Sequence, residues 1–246
     1  MREIRKIGVL GLLLLSAAGG ARVAAAEPVT AETIVARCAE ALGGAGKIAA
    51  VTTLRFTVAY PGNKTPHITE IKRPGRIRTE AGYILVFNGR RAGFLKGAPA
   101  QDGKDPGPQL VEAESWRDFE ADIAFLFPAF FDHKAEYLGL EAVGGREFHR
   151  LGVALPLGLR MNYFIDAATF LPQRIVADVP YRGEVFHPER VVGDYEETRG
   201  VLFPRSFTST GWGEKGRASV TSVEINVPLA DDRFEMPEGP SHPTTR

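Results

Sequence analysis

The histidines are the residues best suited to acid–base or metal chemistry, and they are far apart in the sequence. They are His67, His133, His149, His187 and His242. No two stand at a helix or hairpin spacing that would bring both rings to one metal ion. In "FHPERVVGD", strand alternation puts His187 and Glu189 on one face and Asp194 on the other. We therefore predict no metal site and no cofactor.

Two other segments contain residue types found in active sites. Asp132 and His133 have the side chains of an acid–base dyad, but adjacent residues rarely face each other and no Ser or Cys nucleophile motif accompanies them. We interpret them as part of a solvated loop. "GWGEKG", residues 211–216, lacks the strand-to-helix context of a phosphate-binding loop and predicts a hairpin turn. The sequence thus predicts a protein that is not an enzyme, and a hydrolase using His133 or His187 is the least favoured alternative.

Aromatic side chains are concentrated in "SWRDFEADIAFLFPAFFDHK", residues 115–134. This segment holds five of the fifteen phenylalanines and one of the two tryptophans. At about 100° per residue, its large apolar side chains form one stripe of a helix: Trp116, Phe119, Ile123, Leu126, Phe127 and Phe130. Pro128 should end the helix, because its ring removes a hydrogen bond and clashes with the preceding turn. Phe125 lies off the stripe, so the helix is either buried on two sides or keeps one side for a ligand.

The other elements predict the sheet that this helix covers. A first helix should begin after Thr30, a suitable N-cap, and end at the glycine pair 43–44. Downstream, short segments rich in β-branched and aromatic residues alternate with turns such as Gly144-Gly145, and they predict about ten or eleven antiparallel strands. We expect an α+β protein with one large curved antiparallel sheet, whose concave face is covered by the helices at 29–43 and 115–127.

The N-terminus has the features of a secretory signal peptide. Basic residues at positions 2–6 precede an apolar run that ends near Ala18, and small residues follow at 24–26. A chain of about 220 residues after cleavage suits one large β domain. The organisation that we expect is a signal peptide at 1–26, a single domain at 27–238 and a short flexible tail at 239–246.

Charge and cysteine content narrow the class of protein. The 30 basic and 30 acidic residues give a formal net charge of zero, and they are interspersed. This pattern does not favour binding to nucleic acid or to an anionic membrane surface. The single cysteine, Cys38, cannot form an internal disulfide, so an exported chain of this kind must be stabilised by an ordinary core.

Several segments, taken in order, resemble a known family. They are the first helix with "ALGG", then "EIKRPGRIRTE" and "FNGRRAGF", and later "GREFHRLGV", "NYFIDAATFLPQRI", "GDYEETRGVLFP" and "EINVPLADDRFEMPE". In order and spacing the chain resembles the LolA-like periplasmic lipoprotein carriers and the related outer-membrane lipoprotein-sorting proteins. The resemblance implies an unclosed β-barrel with a helical lid over an apolar cavity for acyl chains. Arg73 of "IKRPGRIR" matches the carrier arginine that hydrogen-bonds the lid helices and helps to control opening.

The resemblance leads to a function hypothesis. A periplasmic protein would shield a lipid, a lipoprotein acyl chain or another long apolar ligand between sheet and lid. It would act as a monomer. Its ligand would be a lipid or an acylated protein, and a membrane-bound partner would load or accept that ligand. Arg73 would be the lid latch, and the ligand contacts would be Phe56, Phe87, Phe94, Trp116, Phe119, Ile123, Leu126 and Phe130.

Three alternatives stay open at this point. The aromatic stripe can equally be close-packed core, and Arg73 can be an exposed cation at a strand end. The protein can also be a periplasmic sensor or regulatory module, because similar regulators of anti-sigma factors use this fold, although they carry an additional C-terminal domain.

Overall fold

The computed structural model describes residues 28–97, 107–111, 116–181, 184–211 and 216–236. In these ranges the helices are α1 (Ala31–Ala41), α2 (Ala45–Ala50) and α3 (Trp116–Leu126), with 3₁₀ turns at Ala129–Phe131 and Asp231–Phe234. The strands are β1 (Thr53–Ala59), β2 (His67–Lys72), β3 (Arg76–Glu80), β4 (Ile84–Phe87), β5 (Ala92–Lys96), β6 (Gln109–Leu110), β7 (Ala135–Val143), β8 (Arg146–Ala154), β9 (Arg160–Asp166), β10 (Pro172–Tyr181), β11 (Glu184–Phe186), β12 (Glu189–Val192), β13 (Tyr195–Thr198), β14 (Val201–Pro204), β15 (Ser206–Thr210) and β16 (Gly216–Ile225). The expected signal peptide and tail lie outside the described residues, as does most of "GWGEKG".

One antiparallel sheet of 14 strands dominates the fold. Its order is β6-β5-β4-β3-β2-β1-β16-β15-β12-β10-β9-β8-β7, with β11 paired to β10, while β13 and β14 form a separate hairpin. Among the described residues β6 and β7 stand at the two ends of this order and do not pair with each other. The predicted α+β class, with a large antiparallel sheet that does not close, is therefore confirmed.

The sheet has more strands than the sequence predicts, because long segments are interrupted. "EVFHPERVVGDYEET" gives three strands: Pro188, which has no N–H to donate, separates β11 from β12. Gly193 then carries the chain off the main sheet, at a point where an added Cβ would collide with the Ser206 side chain. The strand β3, "RIRTE", was not predicted, since Ile77 is its only large apolar residue.

Helix α1 follows the sequence prediction closely. Thr30 is its N-cap, and its Oγ1 accepts a hydrogen bond from the Thr33 N–H at 3.2 Å while Thr33 Oγ1 accepts from the Thr30 N–H at 2.9 Å. The helix ends before Gly43, whose φ of 126° favours glycine. A Cβ at Gly43 would also meet the Gly200 carbonyl oxygen. The end of α1 is therefore packed directly on the β13–β14 turn, where the Leu202 N–H donates to the Leu42 carbonyl at 2.8 Å.

The three helices cover the same side of the sheet. Helix α3 ends where Pro128 predicts, with the Phe127 N–H bonded to the Ile123 carbonyl at 2.9 Å. Side chains of α1, α2 and α3 share one hydrophobic core with the inner sheet face. A narrow void of about 20 Å³ is lined both by Leu42 and Ile48 and by Phe125 of α3. Among the described residues, α1 and α3 have 11 residues each, fewer than a helix needs to span a bilayer.

Candidate functional site

Helix α3 lies between two cavities. Cavity 1 has a volume of about 400 Å³ and cavity 2 of about 370 Å³. Both volumes lie within the roughly 300 to 1,000 Å³ of small-molecule sites. Helix α3 contributes Asp122, Phe125 and Leu126 to cavity 1, and Glu120, Ile123, Ala124 and Phe127 to cavity 2. One helix therefore forms a wall of both spaces, with a different set of side chains toward each.

Cavity 1 is built by strand alternation. Residues two apart on a strand share a face, and such pairs line this space on three neighbouring strands or their ends. The sheet residues that line it are Val58, Tyr60, His67, Thr69, Ile77, Thr79, Tyr83, Glu189, Arg190 and Ser209. Because many of these side chains have polar tips, cavity 1 can offer hydrogen bonds as well as apolar contact.

Arg190 is the central cation of cavity 1. Its Cζ atom lies 4.0 Å from the ring centroid of Phe207 and 4.8 Å from that of Phe125. Its Nε donates a long hydrogen bond of 3.4 Å to Ser209 Oγ, and its buried Nη1 has no hydrogen-bond partner among the described residues. Burial lowers the pKa of Arg190, an effect opposed by Tyr60 and by the negative charge of Asp122.

The neighbouring acid does not neutralise Arg190. Glu189 accepts hydrogen bonds from Arg174, whose Nε and Nη2 lie 2.7 and 2.5 Å from Glu189 Oε2. Glu189 therefore forms its ion pair with Arg174. Asp122 is the carboxylate in the cavity lining whose charge acts on Arg190.

Cavity 2 lies on the other side of α3. The loop 72–76, Phe87 of β4 and the residues after α3 form its walls. Glu120 is buried at its edge, where Oε2 accepts a hydrogen bond of 3.0 Å from the Leu157 N–H. Burial raises the pKa of Glu120, and this hydrogen bond partly opposes the rise. Around that carboxyl, Ile123 and Phe127 supply apolar surface.

Arg73 joins the parts of the chain that border cavity 2. Its Nε and Nη2 donate to the two carboxylate oxygens of Asp132 at 3.1 and 2.6 Å. Its Nη1 donates to the Ile48 carbonyl at 2.8 Å and to the Val51 carbonyl. Its Cζ lies 4.5 Å from the ring centroid of Phe127. The side chains of Arg73 and Asp132 are only 11% and 17% exposed, so Arg73 is not an exposed cation and Asp132 is not part of a solvated loop.

Four predicted ligand contacts lie around these spaces. Phe87 and Ile123 line cavity 2, and Leu126 lines cavity 1. Phe56 lines a small void of about 10 Å³ next to Leu126, and its ring is 5.9 Å from that of Phe203. The structure thus brings these four residues close to α3 but divides them among three spaces.

The other four predicted contacts have different surroundings. Phe130 is packed in the core, with its ring edge-to-face with Tyr163 at 4.9 Å. Phe119 is half-buried against that core. The Phe94 ring lies 5.8 Å from that of Tyr83, which lines cavity 1. Trp116 belongs to α3, but its side chain lies outside what the structure describes.

Sequence reasoning missed two residues that define cavity 1. Phe125 was predicted to face a second buried side or a ligand but was not included among the ligand contacts, and it lines cavity 1 together with Leu126. Arg190 alternates with Val192, which is buried in the main core, and this period-2 signal could have placed Arg190 on the inner face. His187 and Glu189, which the sequence places on one face of a strand, have separate partners. His187 Nδ1 lies 2.9 Å from Asp178 Oδ1, and Glu189 accepts from Arg174. No cluster of three metal-ligating side chains occurs in the described part of the chain.

Comparison with known proteins identifies the fold. No family model and no curated protein matches the sequence. Among solved structures, the chain is similar to a LolA superfamily protein from Nitrosomonas europaea, at 13% identity and a TM-score of 0.51, covering 85% of this chain and 98% of that one. It is also similar to a domain from Vibrio parahaemolyticus named for outer membrane lipoprotein sorting, at 8% identity and a TM-score of 0.50, covering 82% and 94%. The predicted LolA-like fold is confirmed, and identities this low establish the fold alone.

Proposed function

We propose that this protein is a periplasmic binding or carrier protein that shields a long apolar ligand, such as a lipid or a lipoprotein acyl chain, under its helical lid. The observation that carries the proposal is the pair of cavities that flank α3, one on each side. In a protein whose helices only complete a core, the space between lid and sheet would be filled by side chains. The name of the Vibrio parahaemolyticus domain adds support for a lipid-related role.

The attachment of α3 fits a lid that is fixed at one end. The hydroxyl of Tyr163, buried on β9, donates to the Ala124 carbonyl at 3.0 Å and accepts from the Ala129 N–H at 2.9 Å. Arg73 and Asp132 hold the chain just beyond that point. These polar contacts hold the backbone at the C-terminal end of α3. The side chains of Phe125 and Leu126 at this end face the sheet, Phe125 against the Arg190 guanidinium at 4.8 Å, and they can exchange these contacts for contacts with an acyl chain.

An acyl chain supplies enough free energy for such an exchange. Each buried methylene contributes about 0.8 kcal/mol, so ten of them contribute roughly 8 kcal/mol before the costs of association. We infer that Arg73 acts as the latch of the lid. The protein segment that contains Asp132 cannot move away from cavity 2 unless the hydrogen bonds from Arg73 to Asp132 and to the end of α2 break.

The test is to identify what the protein carries. Protein purified from a periplasm should give, by native mass spectrometry and lipid extraction, an apolar molecule in stoichiometric amount, and the emptied protein should bind a fluorescent acyl probe. Ile123→Ala and Leu126→Ala should weaken that binding. Leu140→Ala is the matched control, because Leu140 is 52% exposed on β7. An empty protein with no affinity for acyl probes would contradict the proposal.

A further inference from the structure

Cavity 1 contains a half-buried cation, Arg190, whose hydrogen bonding is incomplete. The Nη1 atom of Arg190 is buried and has no partner among the described residues, while Nε has one long bond to Ser209. From this we propose that cavity 1 is a head-group site, in which Arg190 binds the carboxylate or phosphate of a single-chain anionic amphiphile. The inference rests on the proposed function and names the class of ligand.

The buried Nη1 of Arg190 lacks an acceptor among the described residues, and a ligand oxygen can reach it only when a neighbouring side chain such as Phe125 moves aside. Phe207 and Phe125 lie over its guanidinium carbon, at 4.0 and 4.8 Å from Cζ to the ring centroids. Aromatic faces stabilise the charge but do not replace hydrogen-bond acceptors. A guanidinium binds carboxylates and phosphates with two parallel hydrogen bonds, and the half-buried, sparsely bonded Arg190 side chain can still complete this arrangement.

The acids around Arg190 allow an added anion. Glu189 is engaged by Arg174 at 2.5 Å. Asp122 lines the same cavity, and its charge acts on Arg190. We therefore expect Asp122 to compete with the ligand anion, so the site should bind an anion with moderate strength and release it. This is the behaviour that a carrier requires.

The surroundings of Arg190 indicate where the chain of the amphiphile would lie. Arg190, Phe125 and Leu126 line both cavity 1 and the small void of about 10 Å³ beneath it. Phe125 and Leu126 also line the void of about 20 Å³ beside α1. An acyl chain that starts at Arg190 can therefore continue between α3 and the sheet by displacing these two side chains, without crossing a polar layer.

The first experiment uses the wild-type protein and a ligand series of one chain length. A fatty acid, the corresponding alkyl phosphate, the fatty alcohol and the methyl ester compete with a fluorescent acyl probe. We expect one or both anions to bind about tenfold or more tightly than the alcohol and the ester, because hydrogen bonds to charged groups are the strong ones. The acid and the phosphate compounds distinguish the two possible head groups.

The second experiment uses variants. Arg190→Met should abolish the preference for the anion while the alcohol still binds, and Asp122→Asn should raise affinity for the anion several-fold. Arg150→Met is the matched control: Arg150 also has a buried Nε without a partner and lies over a ring, that of Phe164, but it lines neither cavity. The control should keep the preference for the anion.

The outcomes separate the two proposals. If all four compounds bind wild-type protein equally, the head-group site is refuted and the carrier function stands. If none of them binds, both proposals fail. If Arg190→Met does not fold, the wild-type ligand series and the Asp122→Asn variant still test the head-group site. The inference is overturned if the series shows no preference for the anions and Asp122→Asn binds the anion with unchanged affinity.

Discussion

At the scale of single residues, Arg73 joins two parts of the chain that border cavity 2, the end of α2 and the segment after α3. It binds both oxygens of Asp132 and two carbonyls at the end of α2 at the same time. Only the planar fork of arginine can do this, since lysine carries one compact ammonium group. Replacement by leucine would leave Asp132 without its partner, and breaking such a pair costs about 3 to 5 kcal/mol. Lysine is therefore the more informative substitution.

We predict that Arg73→Lys keeps the fold but speeds release of a bound acyl probe. The charge opposite Asp132 is retained, while most of the bonds to Ile48 and Val51 are lost, so the dissociation rate should rise by about tenfold. Stopped-flow displacement measures this rate. Arg160→Lys, at an exposed pair with Glu136, should leave the rate unchanged. An Arg73→Lys protein with wild-type release would show that Arg73 is structural and not a latch.

Glu120 predicts a pH dependence of stability. Burial raises the pKa of the Glu120 carboxyl above its usual range, so the folded state holds the proton more tightly than the unfolded state. The stabilisation from this group is complete below the unfolded pKa and is lost as the pH rises through the folded pKa. Glu120→Gln keeps an acceptor for the Leu157 N–H but cannot titrate. Urea unfolding between pH 4 and 7 should therefore show a smaller loss of stability in the variant, and parallel curves would refute the assignment.

At the scale of elements, α3 is part core and part cavity wall. Phe130, just beyond the helix, is 4% exposed and packs on Tyr163, whereas Leu126 borders cavity 1 and two small voids. Phe130→Ala should cost about 3 to 5 kcal/mol, because it opens a new void in a packed region. Leu126→Ala should cost less than about 2 kcal/mol, because empty space already adjoins it, and it should weaken probe binding instead. Equal losses of unfolding free energy would mean that the stripe is uniform core.

The sequence predicted the elements of this site better than its contacts. Thr30, Pro128 and the glycine pair at 43–44 act through local backbone chemistry, and each marks a helix end in the structure. The division of the apolar stripe between Ile123 and Leu126 could not be predicted, because it depends on where the sheet stands relative to α3. The strand β3 was missed for a similar reason: its charged residues face outward, and its pairing with β2 and β4 is a tertiary property.

At the scale of the whole molecule, the strand order makes the two halves of the chain interdependent. Strand β1 pairs with β16 and β2, so the N-terminal and C-terminal parts of the described chain meet in the middle of the sheet. The loop 72–76 is also held from the C-terminal side, since Asp231 accepts hydrogen bonds from Lys72 at 2.7 Å and from Arg76 at 2.6 Å. Arg73, the proposed latch residue of that loop, is therefore positioned by contacts from both the N-terminal and the C-terminal parts of the described chain.

This arrangement predicts that the protein unfolds as one unit and that ligand stabilises that unit as a whole. Far-ultraviolet circular dichroism and the near-ultraviolet signal of packed aromatic residues such as Tyr163 should give coincident urea transitions, because one core joins all three helices to both halves of the sheet. An acyl probe at 100 times its dissociation constant should add about 2.7 kcal/mol to the free energy of unfolding, without separating the two signals. If the strands from β7 to β10 instead unfolded separately, the chain would contain two domains. A ligand held under α3 would then stabilise only the transition of the part that contains its cavity. A lid anchored on Tyr163 of β9 would no longer belong to a single folding unit.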